Sequence, residues 1–234
     1  LIKHARRRGV PSIGIPRGWD NFSSKLFLRV IPDTLLTFNR IMPDEALRFA
    51  DVPSDRIRLV GFPQFDQYKG SSWHMSKEEV AKRLGADPRK RWVSYFTSGG
   101  FLTGIVGKDH GDHMEMVRDA ITRGELPSDI AVVASVYPGY NVAFRQELAD
   151  VPTLRFGKDF YLSPEEGRLF MNFIRHSDVV LNFGSTVSLE SAILDRPNIT
   201  LGFNGKSDMG VPWQNRLSTT LDHVLHYRQL QDTG

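Results

Sequence analysis

The sequence predicts an α/β protein built from two parallel-sheet units. Three observations predict it. Short apolar runs alternate with helical stretches along most of the chain, the apolar runs are continuous rather than alternating, and a polar stretch with glycine and serine at 67–76 divides the pattern in two. Continuous apolar strands are those covered by helices on both faces, and β-α alternation is the sequence signature of parallel pairing.

In the first unit a helix over 2–8 stops at Gly9, and residues 10–15 form a strand that opens into the loop from Pro16 to Asn21. A second strand follows at 34–38. The helix at 43–50 has Pro43 in a tolerated first-turn position, with Asp44 and Glu45 complementing the dipole. Residues 57–60 make a third strand. After the polar stretch a helix at 77–84 ends at Gly85, and a strand at 92–96 runs into the glycine-rich turn Thr97, Ser98, Gly99, Gly100. Helices are expected at 112–123, 142–149 and 165–176, with strands at 130–136, 154–156, 178–181 and 199–201. Residues 217–225 read as either helix or loop.

The composition excludes several classes. No cysteine is present, which removes disulfides, thiolate metal sites and cysteine nucleophiles together and fits a reducing cytoplasm. The net charge of +3 comes largely from Lys3, Arg6, Arg7 and Arg8. No basic stripe interleaved with aromatics accompanies it, so nucleic acid is not an expected partner. No apolar run approaches the roughly 18 residues of a membrane span. A start at Leu1 inside a helical stretch, and an end at Gly234 without a closing element, are expected of a fragment of a longer chain.

The stretch from Asp178 to Pro197, DVVLNFGSTVSLESAILDRP, carries the main functional signal. It reads as a buried strand, a tight turn at Gly184, Ser185 and Thr186, and a helix over 187–194. The first-turn N–H groups of such a helix lack intrahelical partners, and the macrodipole places about half a positive charge there. A phosphate therefore fits, and Gly184 lets it approach the backbone. Glu190 follows one turn later, within reach of a sugar hydroxyl on the same phosphate. The alternative is a plain helix cap with Glu190 solvated.

Three motifs in this order resemble the GT-B glycosyltransferases of bacterial surface-polysaccharide synthesis, including the relatives of CDP-glycerol glycerophosphotransferases. The run Trp19-Asp20-Asn21-Phe22-Ser23-Ser24-Lys25 looks like their WDN-x-[ST]-SK loop. Val60-Gly61-Phe62-Pro63-Gln64-Phe65-Asp66 resembles their G-x-P-x-[FY]-D interdomain junction. Asn182-Phe183-Gly184-Ser185-Thr186 with Glu190 resembles their nucleotide-binding strand–turn–helix. One departure is plain: where the family often has R-x-H-P, this chain reads Ser135-Val136-Tyr137-Pro138, without the arginine and histidine.

The resemblance implies an α/β, GT-B-like fold of two Rossmann-like domains facing a cleft, the first present only as its C-terminal part over 1–66. Residues 67–76 are then the linker, and 77–234 the donor nucleotide-binding domain, truncated at its end. It implies no cofactor and no obligatory metal. The expected partners are a nucleotide-sugar donor and a glycan or lipid-linked acceptor, on the cytoplasmic side, where a lipid-linked acceptor would suit peripheral membrane association. The rivals are a nucleotide-sugar 2-epimerase and a non-catalytic nucleotide-sugar-binding protein.

Such a transferase needs a base for the acceptor hydroxyl and positive charge or N–H dipoles for the leaving phosphate. Asp20 is the candidate base, with Asn21 beside it, although turns favour both residues for bracing alone. Lys25 is a candidate phosphate partner or a surface charge. Ser98, Gly99 and Gly100 either cradle a diphosphate or form an ordinary turn. His226, followed by Tyr227, stands where the resembling family has a supporting pair. His110 and His113 invite a metal reading, but a glycine intervenes and the sequence places no third ligand, so no metal site is expected.

Overall fold

The computed structural model describes residues 1–24, 28–97, 111–137, 144, 146–157 and 162–203. The chain forms two compact units, and among the described residues it passes from one to the other between Gln67 and Tyr68. Candidate residues Lys25, Ser98, Gly99, Gly100 and His226, together with His110, Pro138 and the stretch at 217–225, lie outside the described residues.

The first unit holds a parallel sheet in the order β1-β2-β3, made of Ile13–Gly14, Thr34–Thr37 and Ile57–Leu59. Helix α1, Ile2–Arg7, precedes it, and the short α2, Asn21–Ser24, follows β1. Helix α3, Met42–Ala50, carries the chain from β2 back to β3. Its start has no cap of its own at Ile41; instead the Asn39 carboxamide oxygen accepts from the Ile41 and Met42 N–H groups, each at 2.9 Å. The core is Phe22, Leu35, Phe38, Met42, Ala46 and Val52, with Phe62 stacked on Phe38 at 4.2 Å. The strand expected at 10–15 is only two residues long. Val10, Ile13 and Ile15 are all exposed, so its apolar run does not mark a covered strand.

The second unit holds five parallel strands in the order β6-β5-β4-β7-β8. In sequence they are β4 Arg91–Phe96, β5 Ile130–Ser135, β6 Thr153–Leu154, β7 Val179–Asn182 and β8 Asn198–Thr200. Helices α4 Lys77–Leu84, α5 Gly111–Thr122, α6 Pro164–Arg175 and α7 Thr186–Ile193 accompany them. Both α4 and α6 begin with a reciprocal capping box, Ser76 with Glu79 and Ser163 with Glu166, which satisfies two N–H groups at each start. Trp92, Val133, Phe173, Ile174 and Val180 form the centre of the core. Of the helix expected at 142–149, the described part is a single 3-10 turn, Gln146–Leu148.

Residues 68–76, expected within a polar linker, are bound to the second unit. Asn172 on α6 accepts from Met75 N–H and donates to the Trp73 carbonyl, and Arg168 donates to the carbonyls of Trp73 and His74. His176 bonds the Met75 carbonyl through Nε2 at 2.8 Å, and partial burial pulls its imidazole below the usual value. The backbone of this stretch is thus held by side chains of the second unit, while Lys69, Ser72, His74 and Ser76 are exposed.

The strand order positions the site. The chain enters this sheet at its centre, moves outward through β5 and β6, then returns to build β7 and β8 on the other side of β4. The direction reverses between β4 and β7. In open α/β sheets ligands bind outside the carboxyl ends of the strands at that reversal.

Candidate functional site

At the carboxyl end of β7 the chain turns through Gly184, at φ +70, into α7. That positive φ is one glycine adopts without Cβ strain. The turn is organised by Asn182, which is 1% exposed. Its carboxamide oxygen accepts from the Gly184 N–H at 2.8 Å, the Ser185 N–H at 3.1 Å and the Ser188 hydroxyl at 3.0 Å. Its amide nitrogen donates to Asn198 on β8. Ser185 is the N-cap, its hydroxyl accepting from Val187 N–H at 3.3 Å.

Two of the backbone N–H groups expected to face a phosphate, those of Gly184 and Ser185, are therefore engaged by Asn182. The Thr186 N–H and hydroxyl have no hydrogen-bond partner among the described residues, on a residue only partly buried. They stand at the positive end of an eight-residue helix with no acidic residue in its first turn. Such an end attracts anions.

Glu190 is not solvated. It is 4% exposed, and the Tyr68 phenol donates to its carboxylate at 3.0 Å. Burial first, and the Glu190 charge second, push the Tyr68 pKa far above its usual value, so the phenol remains a donor. Tyr68, Asn182 and Ser188 escape the sequence reading as site residues. An Asn at a strand end before a glycine turn is a signal for the second, because Asn side chains commonly bond the backbone just ahead of them. Nothing local signals Tyr68, whose partner lies 122 positions away.

The neighbouring strand ends are tied together. Thr97, just past β4, donates its N–H to the Ser135 carbonyl at 3.0 Å and accepts from the Tyr137 N–H at 2.9 Å through its hydroxyl. Beneath the turn, Phe183 packs edge-on against Tyr95 and His113, with ring centres at 5.9 and 5.3 Å. His113 itself is 3% exposed and bonds the Phe203 carbonyl through Nε2 at 2.8 Å. It serves as packing under the turn. Among the described residues no group of three His, Asp or Glu side chains is placed to hold a metal.

In the first unit, the Asn21 carboxamide oxygen accepts from the Arg17 N–H at 2.8 Å and the Gly18 N–H at 2.9 Å. Asn21 therefore closes the loop, as a bracing residue does. Asp20 lies half-buried between the buried Trp19 and Phe22, and its carbonyl accepts from the Ser23 hydroxyl at 3.3 Å. Its carboxylate sits over Gly18, where an added Cβ would come within 2.9 Å of it.

No protein-family model and no curated protein matches this chain. Solved structures do. The chain is similar to S. aureus MnaA solved with UDP, at 14% identity over 97% of this chain and 63% of that one, with a TM-score of 0.53. It is similar to the UDP-GlcNAc 2-epimerase of Neisseria meningitidis bound to UDP-GlcNAc, at 13% identity over 85% and 56%, TM-score 0.50. A variant of the wall teichoic acid polymerase TagF matches at 14% identity over 86% and 48%, TM-score 0.50, so the chain spans about half the length of that polymerase chain. At these identities the likeness establishes the fold, an α/β arrangement of parallel sheets of the GT-B type. Among the described residues no helix is long and apolar enough to cross a membrane.

Proposed function

We propose that this chain carries the donor-binding region of a GT-B glycosyltransferase that needs no metal. The reaction moves a sugar or sugar-phosphate-like group from a nucleotide-activated donor to a surface-polysaccharide or glycoconjugate acceptor. One observation carries the reading. The turn from Asn182 into α7 stands at the reversal of strand order with the Thr186 N–H and hydroxyl unpartnered among the described residues.

In this reading Thr186, with Ser185 and Gly184 around it, receives a donor phosphate, and Glu190 takes a hydroxyl of the ribose or sugar. Ser98, Gly99 and Gly100 lend backbone N–H groups to the diphosphate, and Lys25 and His226 support the charge. Asp20 removes the proton from the acceptor hydroxyl as its oxygen attacks the activated carbon of a sugar, or the phosphorus of a sugar-phosphate-like group. The bond from that atom to the departing phosphate oxygen breaks, and the oxygen keeps the electron pair. Dipoles aimed at that oxygen are worth most in such a step because they need no reorganisation.

The likeness to UDP-GlcNAc 2-epimerase structures favours a nucleotide-sugar 2-epimerase as second reading, while Ser135-Val136-Tyr137-Pro138 in place of R-x-H-P favours a non-catalytic nucleotide-sugar-binding protein. An epimerase converts UDP-GlcNAc with no acceptor present, and a transferase does not. The decisive screen is thermal shift of the full-length protein with UDP-, CDP-, GDP- and CMP-linked donors, since a ligand that binds only the native state raises apparent stability. A shift with one nucleotide class, lost in the Ser185→Ala/Thr186→Ala variant, is the expected result. No shift with any donor overturns the reading.

A further inference from the structure

We propose that Tyr68 is a positioning residue of the donor site, fixing the Glu190 carboxylate in the orientation from which it meets a hydroxyl of the bound nucleotide sugar. The inference rests on the donor reading above and adds to it a residue that lies outside all three motifs.

Four observations carry it. The Tyr68 phenol donates to Glu190 at 3.0 Å with both residues buried, at 7% and 4% exposure. Glu190 lies on α7 one turn beyond Thr186, so its orientation bears directly on the turn at the strand reversal. A buried carboxylate is costly unless donors meet it, and a charge-assisted bond to a hydroxyl is among the stronger ones. The raised pKa keeps the phenol protonated across the ordinary pH range, so it is a permanent donor and not a base.

The fourth observation is that the chain a few residues beyond Tyr68 is anchored away from α7. The segment after it is pinned to α6 through Asn172, Arg168 and His176, which bond the backbone of Trp73, His74 and Met75. A site side chain is fixed best when its supporting residue is locked by its own packing and hydrogen bonds. Ser188 and Ser191, on α7 itself, bond Asn182 and the Ser188 carbonyl, so the hydroxyl brought to Glu190 comes from a remote segment.

The test is a double-mutant cycle on nucleotide affinity in the full-length protein, titrated with UDP, CDP and GDP and their sugar conjugates. Tyr68→Phe keeps the ring and removes the donor. It should weaken the nucleotide that binds wild type by about tenfold, as expected of one hydrogen bond to a charged group. Glu190→Ala should weaken it at least as much, and the double variant should bind no more weakly than Glu190→Ala, because Tyr68 acts through Glu190. Unchanged affinity in Tyr68→Phe, or losses that add in the double variant, overturns the proposal and leaves the donor reading standing. A wild type that binds none of these nucleotides overturns both. Thermal melting separates a folding defect from a binding defect. If Tyr68→Phe does not fold, Glu190→Gln replaces it, since its amide oxygen still accepts from Tyr68; affinity no better than Glu190→Ala then overturns the proposal.

Discussion

Trp92 and Tyr95 on β4 are completely buried, whereas Ile13 on β1 is 70% exposed and Leu59 on β3 is 52% exposed. Both sheets are parallel and both are drawn from short apolar runs. The difference lies in what covers them. β4 has a neighbour on each side and packs with Phe173, and the Trp92 indole donates to the Asp87 carbonyl at 3.0 Å under the Lys77 ammonium. In the first sheet, burial concentrates on the central strand, at Leu35 and Thr37. An apolar run therefore reports extended backbone, while coverage on both faces depends on where the helices lie.

The largest expected effect follows from this contrast. Trp92→Ala should cost the second unit about 3–5 kcal/mol, the range for truncating a fully buried aromatic, whereas Ile13→Ala should change stability by less than about 0.5 kcal/mol. Denaturant unfolding of each variant measures both. Comparable losses would show that the first sheet's exposed strands are covered after all.

An intermediate effect compares two helix starts in the second unit. Asn182→Ala removes the acceptor for the Gly184 N–H, Ser185 N–H and Ser188 hydroxyl, leaving buried groups unmet. A loss of about 1–3 kcal/mol is expected, with nucleotide-dependent thermal shift abolished. Ser163→Ala at the start of α6 removes only a cap and should cost about 1 kcal/mol with the shift intact. Loss of the shift in both variants would mean that global stability, not the turn, governs binding.

The smallest effect compares two helix ends. Asp51 closes α3 at φ 51, and Gly85 closes α4 at φ 77. Gly85→Ala, with open space but a left-handed backbone, should cost about 1 kcal/mol, and Asp51→Gly should gain a few tenths once the added freedom of the unfolded chain is offset. Urea midpoints resolve both signs. A gain from Gly85→Ala would mean that α4 ends differently in solution.

Much of the second unit was legible residue by residue. Ser76 and Glu79, three apart at the start of a helical stretch, are a capping signal, and Gly85 is a stop signal; the structure places α4 between them. The turn at Gly184 was legible for the same reason, since a buried strand, a glycine and hydroxyls before a helix form a local pattern. The engagement of the Gly184 and Ser185 N–H groups by Asn182 was not. It depends on the rotamer of a side chain fixed by Asn198 on the adjacent strand. The residues at 68–76 read as linker because they are polar, yet their backbone is bonded to α6 about a hundred positions later in the chain, through Asn172, Arg168 and His176.

The sequence by itself determined where the central strands β4, β5 and β7 and the helices α3, α4 and α6 fall, where α4 stops, and that a glycine turn with hydroxyls precedes α7. Each of these is settled by the φ preferences of glycine and proline, by capping side chains, or by apolar spacing within a few residues. Only the tertiary structure decided that β7 lies beside β4, which sets the strand reversal beside that turn. It alone decided that Glu190 is buried against Tyr68 and that β1 and β3 leave Ile13 and Leu59 exposed. Pairing order and burial depend on contacts between residues remote in sequence, and a buried carboxylate is tolerated only where such a contact brings a donor to it.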